Sequence, residues 1–419
     1  MNVLVKNERQ SYGGCRFCAS GMCSLTYSFS PNAIFAPMTV EKFGGAVLKS
    51  LEGFNAMASI IRSRVSEPCL VVVSAVGSTT RDLATAANRS VLGAGGEASS
   101  ILDAVESHHL ELARAIAPDS VHGRELVHSI TEVVSSVRRL CRSVEVTRQC
   151  SARTLDRIIA AGEDLSRQLA VATLRTAGMV AHDVDARSLI ATDDEFGKAR
   201  PNTLQTRQRV KMALGSRDAV TVTQGFVAST MTGETTTMGR ESSNLSASLL
   251  AACVEATSVT IWTDVPGVQT ADPSICHSAR GIEHLSYEQA RIAANYGLKL
   301  LYPTMIEPAQ HDGIPVRIAS AADPSQRGTL IDARPGNAPV MIVSSETGST
   351  TSVTMLFVTL PLALKAIANA VDRLGSTLPS GTIDIVTHMH DQAASIVVPS
   401  LHAPEITKIL HAELCETQL

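Results

Sequence analysis

Lys42-Phe43-Gly44-Gly45 is the first place along the chain where residue types and spacing point to chemistry. It stands at the end of a short predicted strand. Without Cβ atoms, Gly44 and Gly45 let backbone N–H groups come close to an anion, and Lys42 adds a full positive charge, which together make a phosphate cradle. Gly-Gly is also a common plain turn. The stretch TTTMGRESSN at 235–244 is a second polar glycine loop, placed before an Ala- and Leu-rich helix predicted over 245–252. Its helix N-terminus offers a second anion site. Ile261-Trp-Thr-Asp264-Val-Pro-Gly267 and Ala271-Asp272-Pro273 form a third loop, after a strand, where ligands of open α/β sheets gather. Cys15, Cys18 and Cys23 have only part of a zinc spacing, and His388 and His390 read as loop histidines, so no metal site is assigned to protein ligands.

The elements that must position these loops follow from composition and periodicity. The chain has 419 residues, 36 Lys+Arg and 40 Asp+Glu, for a formal charge of −4. That lacks the basic surplus of a nucleic-acid binder. At 44% hydrophobic residues it can bury a large core, and with only 8 Phe, 5 Tyr and 1 Trp that core must be aliphatic, which suits an α/β protein. The most apolar stretch, 353–371, is broken by Pro361 and Lys365, so no membrane span is expected. Nine cysteines, six of them scattered without pattern, imply reduced thiols and a cytoplasmic protein. Residues 1–37, rich in Ser, Gly and Cys and without an apolar signal core, read as a flexible extension before a domain starting near Met38.

Thr39 to Phe43 is predicted as a strand that breaks at Gly44-Gly45 and opens a helix through Leu51, Phe54, Met57, Ile60 and Ile61. Residues 69–75 (CLVVVSA) read as a strand buried on both faces. A helical bundle of about five segments is predicted within 83–181, then strands at 219–223 and 258–262, a further unit at 284–303, and a last strand of this body at 314–318. The Pro- and Gly-containing stretch 332–338 reads as a linker, and 339–419 as a module of order ββαββα.

Together these segments resemble the aspartate kinase family within the amino-acid kinase superfold, over about residues 39–331. The strings that carry the resemblance are KFGG at 42–45, SAVGSTTRDL at 74–83, AGEDLS at 161–166, DARSLIATDDEFGKA at 185–199, VTQGFVAS at 222–229 and TTTMGR at 235–240. They continue, in family order and spacing, with IWTDVPGVQTADP at 261–273, SYEQA at 286–290, GLKLLYP at 297–303 and IPVRI at 314–318. The resemblance implies a three-layer amino-acid kinase-like α/β domain over 38–331, with a helical substrate-side subdomain at about 84–181, and a ferredoxin-like, ACT-type α+β module over 339–419. It implies transfer of the ATP γ-phosphoryl group to the β-carboxylate of L-aspartate, with Mg²⁺, at the head of lysine and threonine biosynthesis.

By the same resemblance, Lys42 bridges phosphates beside Gly44 and Gly45, and Ser74 and Thr80 lie near substrate and phosphate. Glu163 holds the substrate amine, Arg240 grips a substrate carboxylate, Thr263 and Asp264 bind adenosine, and Lys299 is a further nucleotide contact. Read alone, Ser74 or Thr80 could cap a helix, Glu163 could be a solvated helix acid and Lys299 could cover apolar surface.

Departures from the family pattern are also legible. Ala46 and Val47 replace a hydroxyl after KFGG; Glu241-Ser-Ser-Asn244 replaces Gly-Gly-Ser-Asp, so Asn244 stands at the active-site aspartate position; Gln269 and Ser274 replace a Tyr and an Arg near the nucleotide, and Tyr302 a His. Three readings follow: a slow but genuine aspartate kinase, which the intact Lys42, Thr80, Glu163 and Arg240 favour; a kinase acting on another amino-acid-like acid; and a non-catalytic nucleotide binder. The C-terminal module implies a homodimer or higher homo-oligomer. It lacks the glycine that usually opens the module's first helix, so pairing rather than amino-acid feedback is expected of it.

Overall fold

The computed structural model describes residues 38–416 apart from 65–67, 119, 215–219, 240, 299, 375–383 and 389–391. Strand β1 (Thr39–Phe43) is followed by a tight turn, and helix α1 (Leu51–Arg62) starts six residues after Gly45. The helix expected to open at Gly44-Gly45 is therefore displaced, because residues 44–48 close a separate turn in which the Gly44 carbonyl accepts from the N–H groups of Val47 and Leu48. Strand β2 (Cys69–Val73) is wholly buried.

Four helices follow rather than five: α2 (Thr79–Val91), α3 (Gly95–Ile116), α4 (Val121–Thr147) and α5 (Ala152–Thr176). Ser120 and Ser151 start the last two by accepting hydrogen bonds from the N–H groups of Gly123 (2.8 Å) and Thr154 (3.1 Å). The chain continues through β3 (Ala181–Asp183), α6 (Ala186–Leu189), α7 (Thr203–Ala213), β4 (Val220–Gln224) and a short hairpin of β5 (Val227–Ser229) and β6 (Thr235–Thr237). Helix α8 (Ser242–Val254) begins three residues earlier than its sequence suggests. After it come β7 (Ser258–Thr263), β8 (His284–Ser286), α9 (Tyr287–Asn295), α10 (Pro303–His311), β9 (Val316–Ser320) and β10 (Thr329–Asp332). The strand expected to be last in this body, β9, is thus followed by another.

The eight-stranded sheet has the order β3-β4-β2-β1-β7-β9-β10-β8, parallel from β3 to β9. Its alternation explains the layering. On β2, Leu70 and Val72 join a core with α8, α9 and α10, whereas Cys69, Val71 and Val73 join one with α1 and the α2–α5 bundle. Helices therefore cover both faces, giving three layers, and each such buried Val or Leu contributes roughly 1.5–3 kcal/mol. The carboxyl ends of the central parallel strands all lie along one edge.

Beyond an irregular stretch after Asp332 come β11 (Met341–Thr347), β12 (Thr350–Leu356), α11 (Leu360–Leu374), β13 (Asp384–His388), β14 (Ala393–Pro399) and α12 (Ala403–His411), closed by a π-turn at Ala412–Glu416. The antiparallel order β11-β12-β14-β13, with both helices in one core, is a ferredoxin-like sandwich. Its sheet leans on the larger body. Met341 and Val343 enter the α8–α10 core, and the Ile342 N–H donates to the Thr270 carbonyl at 2.7 Å. Among the described residues no helix is long and apolar enough to cross a membrane.

Candidate active site

Backbone stitching at three strand ends builds the site. The Gly44 N–H donates to the Trp262 carbonyl (3.0 Å), the Ser74 N–H to the Phe43 carbonyl (3.1 Å) and the Gly77 N–H to the Gly45 carbonyl (3.0 Å). A Cβ on Gly45 would sit 2.5 Å from the Ala75 carbonyl oxygen, so only glycine permits this approach. The result is a cavity of about 980 Å³ at the carboxyl ends of β1, β2 and β7. Lys42, Gly44, Gly45 and Ser74 line one side; Thr80 and Glu163 come from the helical bundle; Asn244 and Thr263 close the other side.

Lys42 is buried, and loss of water lowers its ammonium pKa to about 8 against the opposing pull of Glu241. Glu163 is the matching case among acids. On α5, its Oε1 accepts from the Thr80 hydroxyl (3.2 Å) and the Ala75 N–H (3.4 Å), while Oε2 is buried without a partner among the described residues. Burial raises its pKa to about 8, with those two hydrogen bonds working the other way. Gly162 sets the distance, because a Cβ there would lie 3.2 Å from the Ala75 Cβ, in the turn after β2, and 3.3 Å from the Thr79 Cγ2 at the start of α2.

At the far wall, α8 points its N-terminus into the cavity. Glu241 is its N-cap, in left-handed conformation at φ 60°, an arrangement that costs a non-glycine residue about 1 kcal/mol or more. The Asn244 Nδ2 donates to the Met305 sulfur at 3.6 Å, and its Oδ1 is buried with no partner among the described residues. Gly225 lets the turn after β4 pass under this helix, since a Cβ there would meet Ser243 at 2.7 Å.

Asp264 does not line the cavity; it is exposed beside it and accepts a hydrogen bond from the Thr263 hydroxyl at 3.1 Å. Arg240 and Lys299 lie outside the described residues, though their neighbours Gly239, Glu241 and Leu300 line the cavity. Cys15, Cys18, Cys23 and His390 also lie outside the described residues. Among the described residues, no group of three or more His, Cys, Asp or Glu is placed to hold a metal, and His388 packs edge-on against Tyr296. Ala46 lines the cavity, so the missing hydroxyl leaves a methyl there.

The sequence assigned no role to several supports. Asp156 is fully buried on α5 and accepts from the Gly197 N–H (2.9 Å), the Thr237 N–H (2.9 Å) and the Thr237 hydroxyl (2.7 Å), pinning the turn at Gly197 and the end of β6 to one helix. Arg187 grips Asp164 bidentately at 2.8 and 2.9 Å, and Gln224 donates to both Asp164 and Asp185. Asp164 follows Glu163 directly, so these residues together fix α5 against β4. In sequence they look like ordinary surface polar residues.

Residues 37–320 match the model of the Amino acid kinase family. The chain belongs to that family. Within it, the sequence is 31% identical over 308 residues to lysine-sensitive aspartokinase 3 of Escherichia coli (strain K12), covering 72% of this chain and 66% of that protein. It is 33% identical over 292 residues to an aspartokinase of Chlamydia pneumoniae, covering 70% of this chain and 62% of that one. The chain thus spans just under two thirds of these relatives' length. Among solved structures, E. coli aspartokinase III in complex with aspartate and ADP (R-state) superimposes with a TM-score of 0.77 at 24% identity, covering 90% of this chain and 99% of that one. The aspartate kinase of Clostridium acetobutylicum does so with a TM-score of 0.69 at 17% identity, covering 90% and 100%. These likenesses give the fold of both the family domain and the C-terminal module.

Proposed function

We propose that this protein transfers the γ-phosphoryl group of ATP to the β-carboxylate of L-aspartate, forming 4-phospho-L-aspartate. The observation that carries the reading is the placement of two buried groups, the ammonium of Lys42 and the carboxyl of Glu163, in one cavity at the carboxyl ends of parallel strands. One suits a phosphoryl group and the other an ammonium. The likeness to aspartokinases supports the choice of acceptor.

The acceptor carboxylate has an ordinary pKa of about 3.9 and is ionised at neutral pH, so no general base is required. Positioning and charge neutralisation supply the catalysis. Glu163, oriented by Thr80 and the Ala75 N–H, takes the substrate ammonium, whose charge draws Glu163 into its ionised form. Arg240 takes the α-carboxylate. That leaves the β-carboxylate facing the phosphoryl group, which Lys42 and the Gly45 N–H hold, with Ser74 beside them; the Gly44 N–H is taken up by the Trp262 carbonyl, and Gly44 serves by keeping the turn free of a side chain. Thr263 and Asp264 lead toward the nucleoside, and Lys299 is a further nucleotide contact. The unpartnered Asn244 Oδ1 and the Glu241 carboxylate offer the oxygen donors a Mg²⁺ ion prefers, so these two would hold it. When bound, the ion would neutralise charge on the β- and γ-phosphates.

We read residues 38–331 as the catalytic body, 332–338 as a linker, and 339–419 as an ACT-type module that pairs copies of the chain. The enzyme would act in the cytoplasm, at the start of aspartate-derived amino-acid synthesis. Incubation with ATP, Mg²⁺, L-aspartate and hydroxylamine tests the reading. Aspartyl hydroxamate is the expected product, and its absence with folded protein would refute it.

A further inference from the structure

Neighbouring side chains of β1 leave the strand on opposite faces, so that Lys42 lines the active-site cavity while Glu41 shares the α1 side of the sheet with Phe43. Glu41 is fully buried. Its Oε2 accepts from the Trp262 indole Nε1–H at 2.7 Å, and its Oε1 accepts from the guanidinium of Arg64, just past the end of α1, at 2.5 Å. The same guanidinium lies over the Trp262 ring, 5.2 Å from its centroid, and Phe43 stacks on that ring with 6.1 Å between centroids. A carboxyl is costly to bury unless it is both paired and hydrogen-bonded. Here it is both. Burial still pushes its pKa above the ordinary range, against the pull of Arg64 and the indole hydrogen bond.

Trp262 joins this cluster to the active site. In the sheet, Glu41 pairs with Thr260 and Phe43 with Trp262, and beyond that register the Trp262 carbonyl accepts from the Gly44 N–H at 3.0 Å. One residue therefore gives its side chain to Glu41 and its backbone to the turn that cradles phosphate. Trp262 is only 2% exposed, so its indole N–H has no water to turn to when Glu41 is lost. The ring would have to shift, and its carbonyl with it.

Taking the phosphoryl-donor reading above as its basis, we propose that Glu41 is a positioning residue for phosphate binding: by holding the Trp262 indole and the Arg64 guanidinium, it fixes the carbonyl that orients Gly44 and so aims the Gly45 N–H and Lys42. Glu41 touches no phosphate itself. On the other side of the cavity, Glu163 is held by the Thr80 hydroxyl and the Ala75 N–H, neither of which belongs to this cluster. Losing Glu41 is therefore felt by phosphates and not by the substrate amine.

The full-length protein is titrated calorimetrically with inorganic tripolyphosphate and Mg²⁺ and, separately, with L-aspartate. Glu41→Met, of similar length but without an acceptor oxygen, is expected to weaken tripolyphosphate binding at least about tenfold and L-aspartate binding less than about twofold. Glu41→Gln, whose amide oxygen can still accept from the indole, is expected to lose less. The chain has one tryptophan, so its indole N–H gives a single ¹⁵N–¹H resonance, which is expected to move when tripolyphosphate binds the parent. The proposal is overturned if folded Glu41→Met binds tripolyphosphate like the parent, or if both ligands weaken alike, as loss of a merely structural ion pair would make them. It is equally overturned if Glu41→Gln loses as much as Glu41→Met, or if the indole resonance stays still in a parent saturated with tripolyphosphate. In each of these cases the parent binds tripolyphosphate and the phosphoryl-donor reading stands. If the parent binds none, that reading falls and the proposal with it. Should Glu41→Met not fold, the indole resonance decides together with Arg64→Met, which is expected to weaken tripolyphosphate about threefold or more and L-aspartate little.

Discussion

If Glu163 takes the substrate ammonium as proposed, aspartate binding is a proton-linked event. With its carboxyl pushed up to about 8 by burial, the ligand-free site is protonated at neutral pH, and an arriving ammonium must displace that proton. The sign follows. Below pH 8 the proton has to leave, so aspartate affinity weakens as pH falls; above pH 8 it has already left, and affinity levels off until the ligand's own ammonium deprotonates. At two units below the pKa the ionised fraction is about 1%, which costs about 2.7 kcal/mol, or a hundredfold in Kd at pH 6 relative to ionised Glu163 with the ligand ammonium intact. Calorimetry with aspartate alone, without nucleotide, isolates the effect from Lys42. Repeating it at pH 7 in buffers of different ionisation enthalpy should reveal release of close to one proton. Glu163→Gln should bind more weakly and lose both the slope and the proton release. A Kd that is flat from pH 6 to 8, or no proton release in the parent protein, would refute the assignment of Glu163 to the ammonium.

The same residue should carry a stability cost. Its folded pKa is above its unfolded value of 4.5, so stability is lost as pH rises from about 4.5 through 8, and Glu163→Gln should gain on the parent over that window, by about 1–4 kcal/mol at pH 8 and nothing near pH 4, in thermal or urea unfolding. Glu241→Gly relieves a left-handed N-cap and should raise stability by about 1 kcal/mol, while removing the charge that supports the Lys42 ammonium and slowing turnover about tenfold or more. Asn244→Asp should raise turnover by a comparable factor if charge at that position is what the site lacks; no change in either variant, with ATP still bound, would favour a non-catalytic nucleotide binder. Asp156→Asn replaces an acceptor of three hydrogen bonds by a group with one acceptor oxygen, and should cost about 2–4 kcal/mol of stability together with activity, as urea unfolding and turnover would register.

What the sequence made legible were the long apolar runs and the glycine punctuation. CLVVV could only be a doubly covered strand, and Lys42-Phe-Gly-Gly45 sits where the strand end and turn chemistry demand. The three-residue strands β5 and β6 gave no periodicity to read, and β10 has four residues with no apolar run. Helix α8 starts early because Ser242, Ser243 and Asn244, poor helix formers by themselves, are held by packing over Gly225 and by the Ser242 hydroxyl donating to the Gly239 carbonyl at 2.7 Å. Tertiary context overrides propensity there. Asp156, Arg187 and Gln224 were illegible for another reason, since, Arg187 with Asp185 apart, their partners lie 23 to 81 residues away in the chain and no local pattern marks a polar residue that the fold will bury.

Isotope transfer tests the central claim most directly. L-Aspartate labelled with ¹⁸O in its β-carboxylate is turned over with ATP and Mg²⁺ and the product is cleaved by hydroxylamine, which attacks the carbonyl carbon and releases phosphate. If the β-carboxylate is the acceptor, that phosphate carries one ¹⁸O atom, and Lys42→Ala releases almost none, since uncompensated charge on the phosphoryl group costs several kcal/mol. Phosphate free of ¹⁸O, or labelled phosphate formed equally well by Lys42→Ala, would contradict the account.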